Sequence, residues 1–200
     1  MKENLVITIS REFGSGGHEI GEKLAKSMGV PFYDRQIIEK AAEQTGFSPE
    51  FIAEHEQRYT SSLMFNLAMG NYTRTGELPL HDQIDIVESN IVRDFAKEGP
   101  CVIVGRCADY ILEGDFECLN VFVYASDSAK LDRIMKKYGY DAKKAEKTIK
   151  ETNRSRSKHY SYFTGRIWGD RHNYDLMINS DKFSTEEIIM LIKEAADKAE

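Results

Sequence analysis

Residues able to act on a ligand gather at three places in this chain. The first is the glycine run Gly14-Ser15-Gly16-Gly17, which follows the apolar stretch Leu5-Val6-Ile7-Thr8-Ile9 and precedes Ile20, Leu24, Ala25 and Met28 at helical spacing. A glycine turn between a buried strand and a helix lets backbone N–H groups converge on a phosphate, and the helix N-terminus adds partial positive charge. The run departs from the full phosphate-loop pattern, which ends in Gly-Lys followed by Ser or Thr; here Gly16-Gly17 is followed by His18 and Glu19. It also misses the dinucleotide pattern, because Glu19 stands where the third glycine belongs. A tight structural turn would use the same glycines. Arg11, at the mouth of the turn, is the cation able to stand in for the missing lysine, or else it pairs with Glu12 or Glu19. Glu19 can ligate Mg²⁺ or simply complement the helix dipole.

The second place comprises Asp34-Arg35 and Arg106 with Asp109. Each pair lies just beyond a short apolar stretch, 31–33 and 101–104 respectively. In parallel α/β sheets ligands bind beyond the carboxyl ends of the strands, and an arginine fork suits a phosphate. Without a ligand, Asp34 serves as a helix N-cap beside a solvated Arg35, and Arg106 pairs with Asp109. The third place is the cationic stretch Arg154, Arg156, Lys158, with Arg166 and Arg171 beyond it, which is either a site for a small anion or a solvated helix face. Arg154 and Arg156 alternate instead of sharing a helix face. The aromatic residues that follow, Tyr162, Phe163, Trp168 and Tyr174, can stack a base or pack beneath the cationic stretch.

The elements that must position these residues are readable from periodicity. Strands are predicted at 5–9, 31–33, 101–104, 118–124 and 174–179. Helices are predicted after the glycine run, from Asp34 to about Gln44, from Ser48-Pro49, from Leu80 to Lys97, after Asp127, over roughly 141–159, and from Ser184 with a capping-box spacing to Glu187. Strands alternating with helices imply a mostly parallel five-stranded sheet covered on both faces. Residues 59–80 fit neither period and read as an insert.

Composition narrows the function. The 200 residues are 41% hydrophobic and 30% charged, enough for a single cored domain, and the formal net charge of −6 argues against broad nucleic-acid binding. No apolar run approaches the roughly 20 residues that cross a bilayer, and no leader pattern precedes the first strand, so the expectation is a cytoplasmic protein with no membrane partner. Cys101, Cys107 and Cys118 form no C-x-x-C pair and read as reduced buried thiols; the five histidines show no metal-ligand spacing.

The segment Ile9-Ser10-Arg11-Glu12-Phe13-Gly14-Ser15-Gly16-Gly17-His18-Glu19-Ile20-Gly21 resembles that of the cytidylate kinase-like proteins. Further matches follow in order: Phe32-Tyr33-Asp34-Arg35, Val104-Gly105-Arg106-Cys107-Ala108-Asp109, Tyr162-Phe163-Thr164-Gly165, Trp168-Gly169-Asp170 and Asn173-Tyr174-Asp175-Leu176, covering nearly the whole chain. The resemblance implies a three-layer α/β/α fold of the P-loop NTPase kind, with a core over 1–34, 81–138 and 172–200, an acceptor-site insert over about 35–80 and a lid over about 139–171. It implies ATP with Mg²⁺ over Gly14, Ser15, Gly16, Gly17, His18 and Glu19, and an acceptor nucleotide held by Asp34, Arg35, Arg106 and Asp109. Arg11, Arg154 and Arg156 would neutralise the transferring phosphoryl group. In the wider kinase family a lysine stands at the position of Gly17 and a hydroxyl residue near Glu19, so a nucleotide-binding regulator is a second reading; a small-molecule kinase with a non-nucleotide acceptor, for which the insert at 59–80 would provide a different pocket, is a third. A homo-oligomer is compatible with all three.

Overall fold

The computed structural model describes residues 5–58 and 80–198. Five strands, β1 (Val6–Arg11), β2 (Phe32–Tyr33), β3 (Cys101–Val104), β4 (Cys118–Tyr124) and β5 (Leu176–Asn179), form one sheet in the order β2-β3-β1-β4-β5, and every pairing is parallel. β1 lies at the centre, with Ile7 beside Val102 on one edge and Leu119 on the other. Between the strands run α1 (Gly17–Met28), α2 (Arg35–Thr45), α3 (Pro49–Arg58), α4 (Leu80–Lys97), α5 (Ala108–Ile111), α6 (Asp127–Tyr138) and α7 (Ala142–Thr164), with α8 (Thr185–Lys198) last.

Period-two alternation divides the core into two faces. Val6, Cys101 and Ile103 point into a cluster with Ile37, Ile84, Ile91 and Phe95 from α2 and α4. Their neighbours Ile7, Ile9, Val102 and Val104 point the other way, onto Ile20, Leu24, Ile188 and Ile192 of α1 and α8. Both faces of the sheet are covered, which makes three layers and explains why β3 is apolar throughout and β1 is buried from Val6 to Ser10, Thr8 and Ser10 included. Each such fully buried aliphatic side chain contributes about 1.5–3 kcal/mol. A third, smaller cluster of Ile134, Ala145 and Ile149 joins α6 to α7, and Phe13 of the glycine loop packs against it. The α6–α7 hairpin is thereby docked on the loop.

Several boundaries differ from the sequence expectation for local reasons. Asp34 stands at the N-cap position of α2 but makes no cap bond, because its carboxylate turns toward His18. Ser126, not Asp127, caps α6 by accepting from the Ala129 N–H. α7 runs on to Thr164, and β5 begins at Leu176 because the Asp175 carboxylate takes the Asn120 N–H instead of leaving it to a strand partner. The Ser184–Glu187 capping box forms as expected, with the Ser184 N–H donating to Glu187 and the Glu187 N–H to Ser184 Oγ. The expected insert lies, over 59–79, outside the described residues.

Candidate active site

β1 delivers Arg11 to the carboxyl edge of the sheet, and the chain turns through Glu12–Gly16 into the N-terminus of α1. Neighbouring elements fix this turn. The Phe13 N–H donates to Asn153 Oδ1 at 2.7 Å, Arg133 Nη1 donates to the Gly14 carbonyl at 2.6 Å, and Ser180 Oγ donates to the Ser15 carbonyl at 2.6 Å. Lys130, only 5% exposed, donates to Glu12 Oε2 at 2.9 Å and also pairs with Asp127. Burial disfavours the Lys130 charge, but its bonds to Asp127 and Glu12 prevail and hold its pKa above the ordinary lysine value.

Above the turn lies a cavity of about 640 Å³, bounded by the loop, the start of α1 and the C-terminal half of α6. Five lysine and arginine side chains line it, Arg11, Arg133, Lys136, Lys137 and Arg156, against three carboxylates, Glu12, Glu19 and Asp34. Each carboxylate is already partnered: Glu12 by Lys130, Glu19 by Lys23 at 2.8 Å and Asp34 by His18 at 3.1 Å. The arrangement therefore favours an anion, and the first N–H groups of α1, which have no intrahelical acceptor, add to it.

Arg11 is threaded through this wall between two glycines. A Cβ on Gly17 would stand 2.5 Å from Arg11 Cβ, and a Cβ on Gly105 would collide with Arg11 Nη1. The guanidinium so guided reaches toward the end of β2, with Nη2 3.9 Å from Asp34 Oδ1. Burial pushes the Asp34 carboxyl up, yet the His18 hydrogen bond and the charges of Arg11 and Arg106 win and hold it below its ordinary value. The expected partners of Arg11, Glu12 and Glu19, are engaged elsewhere.

Beyond Gly105, Arg106 and Cys107 both adopt left-handed backbone, with φ of 56° and 51°, at a cost of about 1–2 kcal/mol each. This bend sends the Arg106 side chain inward to Glu88, 3.1 Å away and as buried as the arginine itself. The expected Arg106–Asp109 pair does not form. Asp109 is instead buried and accepts from the Tyr160 hydroxyl at 2.6 Å; burial raises its pKa, and that bond offsets the shift only in part.

The structure thus gathers Arg11, Gly14, Gly16, Gly17, His18, Glu19, Asp34 and Arg156 into one cavity, with Arg106 in a small adjoining one beside Arg11 and Arg156. Ser15 is fully buried and supports the turn through its own carbonyl and a hydroxyl bond to Glu12 O. Arg35 is 79% exposed, pairs with Glu39 and lines neither cavity. Arg154 is exposed and lies outside both, whereas Arg156 lines both and donates to the Arg11 carbonyl at 2.9 Å. Phe122 packs against both Trp168, with ring centroids 5.3 Å apart, and the buried Tyr174, 4.9 Å away. The cationic face of α6, Arg133, Lys136 and Lys137, escaped the sequence reading, which followed only the helix's apolar side. Glu88 and Asn153 gave no local signal. Among the described residues no group of three or more His, Cys, Asp or Glu is placed to hold a metal, and no helix is long and apolar enough to cross a membrane.

The chain belongs to the cytidylate kinase-like family, whose model matches residues 6–182. It is 28% identical over 197 residues to a cytidylate kinase of Pyrococcus horikoshii, covering 98% of this chain and 90% of that one. A cytidylate kinase of Methanopyrus kandleri is 25% identical over 203 residues, covering 97% and 94%. Among solved structures, an uncharacterized protein from Eubacterium ventriosum superposes with a TM-score of 0.74 at 25% identity, covering 97% of this chain and 99% of that one. A gluconokinase from Sinorhizobium meliloti shares the fold, with a TM-score of 0.56 at 18% identity, covering 100% and 95%.

Proposed function

We propose that this member of the cytidylate kinase-like family transfers the terminal phosphoryl group of ATP to a nucleoside monophosphate, cytidylate or a related pyrimidine nucleotide. The observation that carries the reading is the cationic cavity over a glycine loop at the carboxyl end of the central strand. The names of the relatives support the substrate class. In this reading the core comprises 1–34, 81–138 and 172–200, the acceptor region about 35–80 and the lid about 139–171.

Phosphoryl transfer is accelerated mainly by positioning and charge neutralisation. The loop and the start of α1 cradle the triphosphate through backbone N–H groups, while Arg133 and Arg156 approach it from α6 and α7. Arg11, held between Gly17 and Gly105, takes over the charge of the absent loop lysine from the acceptor side. Arg106 and Asp34 face the acceptor, with Arg106 braced by Glu88. The acceptor phosphate is an adequate nucleophile once placed in line, so no general base is required. Mg²⁺ would be held chiefly by phosphates and water with one or two carboxylates; Glu12, Glu19 and Asp34 line the cavity, and to ligate it each would have to give up its cation, Lys130, Lys23 or His18.

The test is direct scoring of diphosphate product from ATP, Mg²⁺ and each common nucleoside monophosphate. Transfer to cytidylate or a close analogue supports the proposal. ATP binding without transfer to any of them favours the second reading, a nucleotide-binding regulator, for which the specific observation is that Gly17 has no room for a lysine beside Arg11.

A further inference from the structure

Beside the small cavity that Arg106 shares with Arg11 and Arg156, three buried groups are in contact. Cys107 Sγ lies 3.9 Å from His159 Nδ1, and His159 Nε2 lies 3.3 Å from Asp85 Oδ1. All three residues are nearly closed to solvent, at 6%, 5% and 6% exposure. With Nε2–H donating to the carboxylate, Nδ1 is left as the acceptor that faces the thiol. This is the nucleophile–base–orienting acid arrangement that generates a thiolate, and it joins three separate elements: the bend after β3, α7 and α4.

Two more observations separate Cys107 from an ordinary buried thiol. Its backbone is left-handed, the second of two consecutive non-glycine residues so held, and such strain persists where the surroundings enforce a particular side-chain direction. Cys107 and His159 also line a cavity of about 20 Å³ together with the three arginines Arg11, Arg106 and Arg156. Neighbouring guanidinium groups stabilise a thiolate. A space of this size admits a molecule little larger than one water, and Arg11 and Arg156 are shared with the larger cavity, which leads to solvent.

We propose that Cys107, activated by His159 and Asp85, is a site of reversible oxidation by hydrogen peroxide. His159 takes the thiol proton, the thiolate sulfur attacks one peroxide oxygen, and the O–O bond breaks as the S–O bond forms. The departing hydroxide receives the proton from His159 and leaves as water. Sulfur is oxidised by two electrons to the sulfenic acid, and peroxide is reduced by two. Bulky thiol reagents do not fit the cavity, so the site selects by size. The inference does not depend on the kinase reading.

The protein carries its own controls. Burial pushes the thiols of Cys101 and Cys118 up to about 12, and neither has a histidine partner among the described residues. The experiment exposes the folded protein to hydrogen peroxide, stops it with catalase, then unfolds, alkylates and follows each cysteine by mass spectrometry. Cys107 is expected to lose its free thiol about tenfold or more faster than Cys101 and Cys118, gaining one oxygen that dithiothreitol removes. His159→Gln and Asp85→Asn should each abolish the difference. A substitution that merely loosens the fold would instead accelerate Cys101 and Cys118 as well. Equal, slow loss of all three thiols in the unsubstituted protein overturns the proposal, as does undiminished Cys107 oxidation in a folded His159→Gln protein.

Discussion

The side chain of Arg11 occupies the space that any side chain at position 17 would need: a Cβ on Gly17 would lie 2.5 Å from Arg11 Cβ and 3.3 Å from Val123 Cβ. The two positions are one unit, and the absence of a loop lysine is the counterpart of the arginine on β1. Gly17→Lys alone should destabilise the fold by about 1–3 kcal/mol, as overpacking does. Combined with Arg11→Gly it should cost clearly less than the sum of the two single changes. A double-mutant cycle read by urea unfolding measures the coupling; additive effects would show that the two side chains do not compete for space.

Arg11 and Arg133 both line the cavity, one from β1 and one from α6. If both neutralise transferring charge, Arg11→Ala and Arg133→Ala should each lower turnover on the order of 100-fold. Unfolding midpoints should change little by comparison. Diphosphate formation measured alongside urea unfolding separates the two effects, and full turnover in a folded Arg11→Ala protein removes it from the proposed role.

The two arginines assigned by resemblance to the acceptor phosphate sit in opposite environments. Arg106 and Glu88 are a buried pair, whereas Arg35 and Glu39 face solvent. Glu88→Ala leaves a buried guanidinium without that partner and should cost about 3–5 kcal/mol. Glu39→Ala should be nearly silent, since exposed pairs are screened. Urea unfolding of both variants checks the contrast.

Asp34 makes stability depend on acid. Its folded-state pKa lies below the ordinary aspartate value of 3.8, so the folded protein releases this proton more readily than the unfolded chain. The resulting stabilisation is complete above that ordinary value and is lost as pH falls below it, toward the folded pKa. Asp34→Asn should therefore show a shallower acid limb than the unsubstituted protein over that interval. Unfolding free energies at stepped pH for both proteins give the difference directly; parallel curves would mean that His18, Arg11 and Arg106 do not bias the carboxylate.

Much of the fold was legible because its causes are local. Short apolar runs identified all five strands, and Gly99-Pro100 with the Leu80–Lys97 period placed α4 correctly. Serines before helices announced the caps of α3 and α8, where the Ser48 and Ser184 hydroxyls accept main-chain N–H bonds. At Asp34 the same logic misled, because propensity cannot weigh a cap bond against a histidine and an arginine brought in from other elements.

The sequence by itself determined the strands, their layering and the position of the glycine loop at the end of the first strand, since hydrophobic periodicity and turn chemistry act between near neighbours; that this strand is the central one was decided by the sheet order. Only the tertiary structure decided which charges meet there. It drew Arg133, Lys136 and Lys137 from α6 over the loop, turned Arg106 toward Glu88 and left Arg35 and Arg154 outside. It also set Cys107 against His159, 52 residues away in the chain, and His159 against Asp85, 74 residues away. Electrostatic partners are chosen by distance and burial in three dimensions, and spacing along the chain encodes neither.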